Sequence, residues 1–437
     1  MSSPEEPSPA AESQGLSAEL LGAVELEADA ARSAAPALDD ERVAAALRRA
    51  AGLLQENAAA VLAANAADVA AARSTLDEGA LDRLVLDEHR VAGLGAQLLA
   101  LAELPPLERE IEGWQLSNGL SVAVHRIPIG VVGANFEARP GVAVDVAGQL
   151  LKSLNACVLR TGSAALATVT ELVDGVLRPA LADVGLPPEA VGLVRSPSRD
   201  GAVALVSLPG LIPLVILRGS GETTRRLARV AAAEGVRVLA HAEGGGVLYV
   251  DASADPGMTL RLVEASLDRL GVCNRLNLLL VHRDAVAVLG PVLERVARLG
   301  VSALGTPRAR AFAARLVPLD VPLGHEWAND AGRVASVTVD VVDDAAEAVA
   351  IANTQVSGLA AAVVADSAPA AAAFFASYRG TTAFWNAPTR FTDGFALTGA
   401  PETGINVETA PGPRGPVTYR DLWLRQLRVV GDGSQRR

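Results

Sequence analysis

Apolar residues recur at spacings of three and four over positions 17–104, the first quarter of the chain. This spacing places them on one face of successive helices, with interruptions near positions 38–40 and at Asp87. The pattern then changes, because positions 113–128 alternate apolar and polar residues around Asn118-Gly119, a pair that favours a tight hairpin turn. The sequence therefore predicts a helical N-terminal region followed by a β-hairpin.

Short apolar runs and helical stretches alternate along the rest of the chain. The predicted strands lie at 129–136, 157–160, 191–193, 214–217, 236–240, 246–250, 277–281, 360–364 and 381–385. The predicted helices lie at 142–153, 164–184, 222–234, 255–267 and 284–299, with another that ends at Tyr378. Such alternation predicts a parallel sheet with helices on both faces, so the fold class is α/β. The apolar stretch 201–217 is interrupted by two prolines, which predicts buried strands with a turn and no membrane helix.

Composition narrows the function classes. The net charge of -12 and the scattered acidic residues argue against a nucleic-acid binder, which usually carries a basic face. Two cysteines make neither a disulfide framework nor a zinc site, and the histidines lack metal-ligand spacing. Positions 1–16 are acidic and rich in proline and serine, which is typical of a disordered tail and not of a signal peptide. We therefore expect a cytoplasmic protein with neither a membrane nor a nucleic-acid partner.

Cys273 lies between a predicted helix and the predicted strand at 277–281. Catalytic groups are often presented on such loops, and a thiolate there could hold an acyl group as a thioester while a hydride arrives. An isolated cysteine is more often a buried apolar residue, and this interpretation applies to Cys157, which lies inside a predicted strand. Spacing alone does not separate the two cysteines.

Polar residues directly follow three of the predicted strands. The segment FEARP at 136–140 supplies Glu137 and Arg139, and a guanidinium pairs well with phosphate or carboxylate oxygens. The others are NAPTRFTDG at 386–394 and RGSG at 218–221, which opens a helix whose N–H groups could bind phosphate. In open α/β sheets ligands bind beyond the carboxyl ends of the strands, which makes these segments candidates for a site. A salt bridge at Arg139 and an ordinary turn at 386–394 are the structural alternatives.

Together these segments resemble the gamma-glutamyl phosphate reductases, a family of the aldehyde dehydrogenase superfamily that acts second in proline biosynthesis from glutamate. The matching segments keep the family's order from about position 17 to the C-terminus. They lie at 61–90, 126–163, 216–221, 247–251, 272–274, 386–394 and 414–416. The segments at 126–163 and 386–394 are the most specific, because few other families combine EARP with TRFTDG.

The resemblance implies an aldehyde-dehydrogenase-like architecture. A parallel-sheet cofactor domain would comprise 17–112 and 129–245, and an α/β catalytic domain would comprise 246–385. The hairpin 113–128 would join the C-terminal segment 395–437 in a small oligomerisation element, so a homo-oligomer is expected.

The resemblance also implies a reaction, the NADPH-dependent reduction of gamma-glutamyl phosphate to glutamate 5-semialdehyde and phosphate. Cys273 would form the thioester, and the backbone N–H of Asn274 would stabilise the oxyanion. The implied substrate-binding residues are Glu137, Arg139, Asn386, Arg390, Thr392 and Asp393. The implied NADPH-binding residues are Arg160, Gly162, Ser163, Gly219, Ser220 and Gly221. No metal is implied, and the expected partners are the acyl phosphate, further copies of the chain and, transiently, glutamate 5-kinase.

Some positions depart from the family's pattern. Ser163 stands where the family has a lysine, and Asn277 stands where it has an acidic residue. Two alternatives therefore stay open. One is a divergent paralogue that reduces another acyl phosphate or oxidises a semialdehyde with water, for which Glu243 is a candidate base. The other is a non-catalytic partner of the kinase.

Overall fold

The computed structural model describes residues 12–13, 15–76, 78–219, 221–240, 244–328, 330, 332–409 and 412–436. The chain forms two compact units. Unit 1 comprises Met1–Ala240, Ala400–Gly404 and Val417–Arg437. Unit 2 comprises His241–Gly399 and Ile405–Pro416.

Sixteen α-helices and seventeen strands lie within the described residues. The helices are α1 Ala18–Ala34, α2 Asp40–Glu56, α3 Ala58–Ala72, α4 Glu78–Leu84, α5 Glu88–Glu103, α6 Gly141–Lys152, α7 Leu166–Leu172, α8 Arg178–Asp183, α9 Asp200–Leu205, α10 Gly221–Glu234, α11 Pro256–Ser266, α12 Leu289–Arg298, α13 Pro307–Phe312, α14 Ala345–Thr354, α15 Ala368–Ser377 and α16 Gly394–Thr398. The strands are β1 Glu110–Gln115, β2 Ser121–Pro128, β3 Val131–Phe136, β4 Ala156–Thr161, β5 Val191–Val194, β6 Leu214–Arg218, β7 Arg237–Ala240, β8 Gly246–Val250, β9 Leu276–His282, β10 Ser302–Gly305, β11 Val317–Pro318, β12 Ser336–Val342, β13 Ala360–Val364, β14 Thr382–Trp385, β15 Gly404–Asn406, β16 Gly415–Val417 and β17 Trp423–Val430.

The sheet of unit 1 is parallel, with strand order β5-β4-β3-β6-β7. Every residue of β3, β4 and β5 is buried, as expected for a parallel sheet covered on both faces. From β3 the chain adds β4 and β5 on one side and then β6 and β7 on the other. The strand order therefore reverses between β3 and β6, which marks the carboxyl ends of these two strands as the place for a ligand.

Capping side chains explain the breaks in the N-terminal helical region. The side chains of Ser17, Asp39 and Asp87 precede α1, α2 and α5, and each accepts a hydrogen bond from the backbone N–H three residues later. Such caps stabilise a helix by about 1 kcal/mol each. The breaks predicted near 38–40 and at Asp87 are confirmed.

The predicted hairpin is confirmed and gains a third strand. Strands β1 and β2 pair antiparallel across a turn in which Gly119 has φ +87°, and β17 pairs antiparallel with the other edge of β2. The C-terminal strand thus joins the hairpin, as the sequence predicts. Both outer strands are almost entirely exposed.

Unit 2 contains a seven-stranded parallel sheet of order β11-β10-β12-β9-β8-β13-β14. Strands β8, β12 and β13 are buried along their whole length. Apolar residues of α11 and α12 pack on one face of this sheet, and those of α14 and α15 join a second cluster that contains other residues of the same strands. The α/β class predicted from the sequence is confirmed.

Three features differ from the sequence predictions. Positions 200–205 form α9 and not a strand. The sequence did not show this helix, because Gly201–Leu205 are all buried and no polar face reveals a helical period. The predicted helix at 164–184 is interrupted by a π-helical turn at Val173–Leu177. Most of the predicted tail lies outside the described residues. Within the part that is described, the Glu12 carboxylate accepts a hydrogen bond from Arg226 of α10 and forms an ion pair with it.

The two compact units are a different division of the chain from the predicted domains, whose boundaries stay a prediction. Unit 2 continues beyond position 385 to Gly399, and the three-stranded sheet belongs to unit 1. Within the described part of the chain, every helix is too short or too polar to span a bilayer.

Candidate active site

Cys273 lies in unit 2, on the loop between α11 and β9. Its side chain is half-buried and packs against the small apolar cluster of Leu359, Ala360 and Ile405. Its carbonyl oxygen accepts a hydrogen bond of 2.7 Å from the N–H of Gly245. A partly accessible thiol is thus held on a loop whose backbone is fixed by its neighbours. Cys157, in contrast, is fully buried in β4, and burial raises the pKa of its thiol to about 12.

Asn274 joins the cysteine loop to the segment that follows β14. Its side-chain Nδ2 donates to the carbonyl oxygens of Arg390 and Thr392, each at 3.0 Å. The hydroxyl of Thr389 donates to the Asn274 carbonyl at 2.9 Å. Among the described residues, none accepts a hydrogen bond from the Asn274 backbone N–H. The side chain therefore fixes the loop, and the adjacent N–H stays available as a donor.

Arg390 also holds the cysteine loop in place. Its guanidinium donates to Asn274 Oδ1 and, at 2.6 Å, to Asp268 Oδ1, and its side chain is 21% exposed. The guanidinium is thus already paired with a carboxylate. The geometry thus gives Arg390 a definite positioning role, while its contact with a substrate phosphate stays a prediction.

The remaining predicted residues of the segment 386–394 are engaged locally. The Asn386 amide accepts from Ala365 N–H at 3.0 Å and donates to the Ala365 carbonyl at 2.9 Å. Asp393 caps α16 by accepting from the N–H of Ala396. Thr392 is fully buried, and its hydroxyl has no hydrogen-bond partner in the described part of the chain. The middle of this segment is thus hydrogen-bonded to the cysteine loop, whereas Asn386 and Asp393 bond elsewhere.

In unit 1, Glu137 and Arg139 follow β3 at the point where the strand order reverses. Ala138 between them has φ +43°. This backbone conformation is strained for a residue that has a side chain, and such strained residues are concentrated at functional sites. A Cβ added to Gly219, which follows β6, would lie 3.2 Å from Cδ of Glu137. The Glu137 carboxylate therefore lies against the Gly219 backbone, and a larger residue would displace it. The Arg139 residue is exposed.

The predicted cofactor residues fall into two groups. Arg160 is 4% exposed, and it donates to Asn135 Oδ1 at 3.1 Å and to the Ser198 carbonyl at 2.7 Å. Burial lowers the pKa of its guanidinium. Arg160 thus makes hydrogen bonds inside unit 1, and its contact with the cofactor stays a prediction. Gly162 is partly exposed and Ser163 is exposed just after β4, with open space beside Gly162.

Two of the predicted positions lie outside the described residues, namely Ser220 and the candidate base Glu243. Gly221 is the first residue of α10.

Gly244 and Glu326 lie beside the cysteine loop, and the sequence analysis did not predict either as a site residue. A Cβ added to Gly244 would lie 2.6 Å from Cβ of Cys273 and 2.8 Å from Oε1 of Glu326. The Cys273 Cβ and the Glu326 carboxylate are therefore no farther apart than the sum of these two distances. Asn277 holds this segment, since its amide bonds the backbone of His325 and Trp327. The run of three glycines at 244–246 was the available signal for such a close approach.

Comparison with known proteins identifies the family. The sequence profile of the "Aldehyde dehydrogenase family" matches residues 3–310. A protein of Clavibacter michiganensis named gamma-glutamyl phosphate reductase is 40% identical over 96% of this chain and 97% of its own length. A protein of the same name from Thermobifida fusca is 34% identical over 93% of this chain and 96% of its own. The chain is a member of the gamma-glutamyl phosphate reductase family.

Solved structures agree with this assignment. The crystal structure of gamma-glutamyl phosphate reductase from Thermotoga maritima matches with a TM-score of 0.89 and 27% identity, over 95% of this chain and all of that one. An acetylating aldehyde dehydrogenase from Geobacillus thermoglucosidasius matches with a TM-score of 0.65 at 14% identity, which shows a shared fold alone. The resemblance to the gamma-glutamyl phosphate reductases that the sequence motifs indicate is confirmed along nearly the whole chain.

Proposed function

We propose that the protein reduces gamma-glutamyl phosphate to glutamate 5-semialdehyde and phosphate, with NADPH as reductant. Full-length relatives at 33–40% identity that are named gamma-glutamyl phosphate reductases support this function. The structural observation that carries it is the half-buried Cys273 thiol, on a loop fixed by Asn274 and Arg390. An oxidoreductase of the aldehyde dehydrogenase family needs such a positioned thiol to hold its acyl group.

The proposed reaction begins at the sulfur of Cys273. Its thiolate attacks the acyl carbon, the bond from that carbon to the phosphate oxygen breaks, and phosphate leaves with the electron pair. The backbone N–H of Asn274 donates to the oxygen that gains negative charge, a contact whose removal costs roughly 3–4 kcal/mol in comparable sites. A nicotinamide cofactor held by the unit 1 residues named below would supply the hydride that the thioester carbon needs. The tetrahedral adduct on Cys273 then releases the aldehyde and restores the thiolate.

The cofactor fits the strand ends of unit 1. A ligand crevice is expected where the order of the parallel strands reverses, beside the loops after β3, β4 and β6. The would-be Cβ of Gly162 meets no atom within 4 Å, so the backbone there is open to a close-lying group. We assign Gly162, Ser163, Gly219, Ser220 and Gly221 to the cofactor. The preference for NADPH over NADH is part of the proposal.

The proposed substrate contacts are guanidinium groups. Arg139 and Arg390 are assigned to the anionic groups of the acyl phosphate, because guanidinium groups bind phosphate and carboxylate oxygens in pairs. We further propose that copies of the chain associate through the three-stranded sheet, and that the protein meets the kinase that supplies its short-lived substrate.

The reverse reaction tests this function. Wild-type protein supplied with glutamate 5-semialdehyde, phosphate and NADP+ should form NADPH, and arsenate should replace phosphate. We expect Cys273→Ser to lower turnover by roughly 1000-fold or more while nucleotide binding persists, because the nucleophile is lost. The matched control Cys157→Ser, in the buried strand, should retain activity. Turnover that needs neither anion would instead identify a hydrolytic dehydrogenase and contradict the proposal.

A further inference from the structure

The loop at 325–327 brings a carboxyl group to the cysteine loop. A Cβ added to Gly244 would lie 2.6 Å from Cβ of Cys273 and 2.8 Å from Oε1 of Glu326. The carbon that bears the thiol and the carboxylate therefore border the same methyl-sized space, which a glycine leaves open. The N–H of Gly245 donates to the Cys273 carbonyl at 2.7 Å, which ties the glycine run to the cysteine loop. All these residues belong to unit 2, and the proposed mechanism leaves the carboxylate unused.

One amide fixes the backbone on both sides of Glu326. Nδ2 of Asn277 donates to the His325 carbonyl at 2.6 Å, and its Oδ1 accepts from the N–H of Trp327 at 3.0 Å. Trp327 is itself fully buried, and its indole N–H donates to the Thr338 hydroxyl at 3.0 Å. An ionised carboxylate at position 277, where the family has an acidic residue, could accept from Trp327 but could not donate to His325. The amide in this chain therefore holds Glu326 in a fixed place.

Two arginines of unit 2 lie at the cysteine loop, and both are engaged. Arg275 is fully buried and donates to three backbone carbonyl oxygens. Burial lowers the pKa of its guanidinium to about 10, and the charge of Glu326 opposes this shift. The attraction favours the charged form of both groups, while Arg390 is paired with Asp268. An ionised carboxylate repels a second negative charge, so we expect the neighbouring Cys273 to rest as a thiol that needs a proton acceptor when it reacts.

We propose that the Glu326 carboxylate is this proton acceptor. As the sulfur of Cys273 attacks the acyl carbon, the S–H bond breaks and its proton passes to the carboxylate, directly or through one water. Phosphate leaves with the electron pair of its bond to carbon and takes its proton from solvent. When the C–S bond of the tetrahedral adduct breaks, the sulfur keeps the electron pair and recovers the proton from Glu326. This inference rests on the proposed function and adds to it a proton transfer between two groups of unit 2.

The pH dependence of the reverse reaction with glutamate 5-semialdehyde, phosphate and NADP+ tests this role. We expect Glu326→Gln to lower kcat/KM about 100- to 1000-fold at pH ~7, because a general base commonly contributes about 100-fold or more. The loss should shrink at least about 10-fold by pH ~9, where a thiol ionises without a base. The ratio of wild type to variant at each pH cancels changes in the substrate. Glu326→Asp, which keeps the carboxylate, should recover much of the activity and the wild-type pH profile.

Glu347→Gln is the matched control, since Glu347 is another carboxylate of unit 2 that pairs with an arginine, Arg308, at 2.8 Å. This variant should keep kcat/KM within about 3-fold of the wild type at every pH. If Glu326→Gln does not fold, Asn277→Ala decides the matter, because it releases the loop at 325–327. It should show the same pH-dependent loss, whereas a loss that does not change with pH would contradict the proposal.

Two further results would overturn the role of Glu326. A loss in Glu326→Gln of equal size at pH ~7 and pH ~9 would make the carboxylate a counter-charge of Arg275 and no more. A pH-dependent loss in Glu243→Gln, with Glu326→Gln close to the wild type, would assign the proton transfer to Glu243. A wild-type protein without turnover in this assay would instead refute the proposed function itself.

Discussion

At the scale of single residues, Asp145 makes stability depend on pH. Burial raises the pKa of its carboxyl to about 7, an effect that Arg218 opposes and Glu402 reinforces. A raised pKa means that the folded state holds the proton more tightly than the unfolded chain. The associated stability is complete below the unfolded pKa near 4 and is lost as the pH rises through about 7.

Replacement of Asp145 by asparagine should therefore stabilise the substrate-free protein at high pH. We expect the free energy of unfolding of Asp145→Asn to match that of the wild type only below pH ~4 and to exceed it by about 2–4 kcal/mol at pH ~8, since each pKa unit is worth ~1.4 kcal/mol. Urea unfolding at several pH values measures this difference. A difference that does not change with pH would show that the Asp145 carboxyl keeps an ordinary pKa.

The chemistry of single residues was only partly readable from the sequence. The motif around Cys273 identified the thiol and its neighbour Asn274, because the order of short segments carries that information. The direction of a side chain does not follow from a motif, so the sequence did not show that Arg160 bonds Asn135 and the Ser198 carbonyl inside unit 1. Asp145 and Glu326 left no signal, since their surroundings come from distant parts of the chain.

At the scale of elements, the hydrogen bonds of one side-chain amide, that of Asn274, hold the cysteine loop in place. The side chain of Asn274 makes two donated hydrogen bonds to the segment after β14 and accepts one from Arg390. We expect Asn274→Ala to destabilise the protein by about 1–3 kcal/mol and to lower kcat by at least about 10-fold, because the loop that carries Cys273 loses its brace. Chemical denaturation and steady-state kinetics measure the two effects.

Asn353→Ala is the control for this change. Asn353 also joins two segments of unit 2, by donating to the Ser377 carbonyl and accepting from Arg379 N–H. Its loss should lower stability by a similar amount and leave kcat unchanged. If both variants lost activity equally, the loss of stability would explain the lower kcat, and the hydrogen bonds of Asn274 would have no specific part in it.

The elements themselves followed well from the sequence wherever periodicity was strong. The amphipathic N-terminal helices, the hairpin and most parallel strands were predicted, with breaks at capping residues. Helix α9 was mistaken for a strand, because a short element buried on every side shows no period. The segment 386–394 follows the strand β14, as expected. The turn Thr389–Phe391 then reaches back to Asn274, a path that only tertiary packing determines.

At the scale of the whole molecule, the three-stranded sheet is the feature that a single chain leaves incomplete. Strand β17 is eight residues long, and its outer edge has no strand partner in the described part of the chain. Leu427, Val429 and Val430 are more than half exposed on it, at 52%, 54% and 68%. A long apolar edge strand pairs readily with another chain, so monomeric proteins usually avoid one. The exposed edge therefore supports association between copies.

Charges placed on this edge should disrupt that association. We expect the wild-type protein to be an oligomer in size-exclusion chromatography with light scattering, and the double variant Leu427→Asp/Val429→Asp to dissociate with a Kd raised by more than about 100-fold, because two carboxylates would lose their water without a partner. Leu26→Asp is the control, since Leu26 is 73% exposed on α1 and belongs to a different surface. It should elute with the wild type. A wild-type protein that is monomeric at micromolar concentration, or a double variant that stays assembled, would mean that β17 is not the contact.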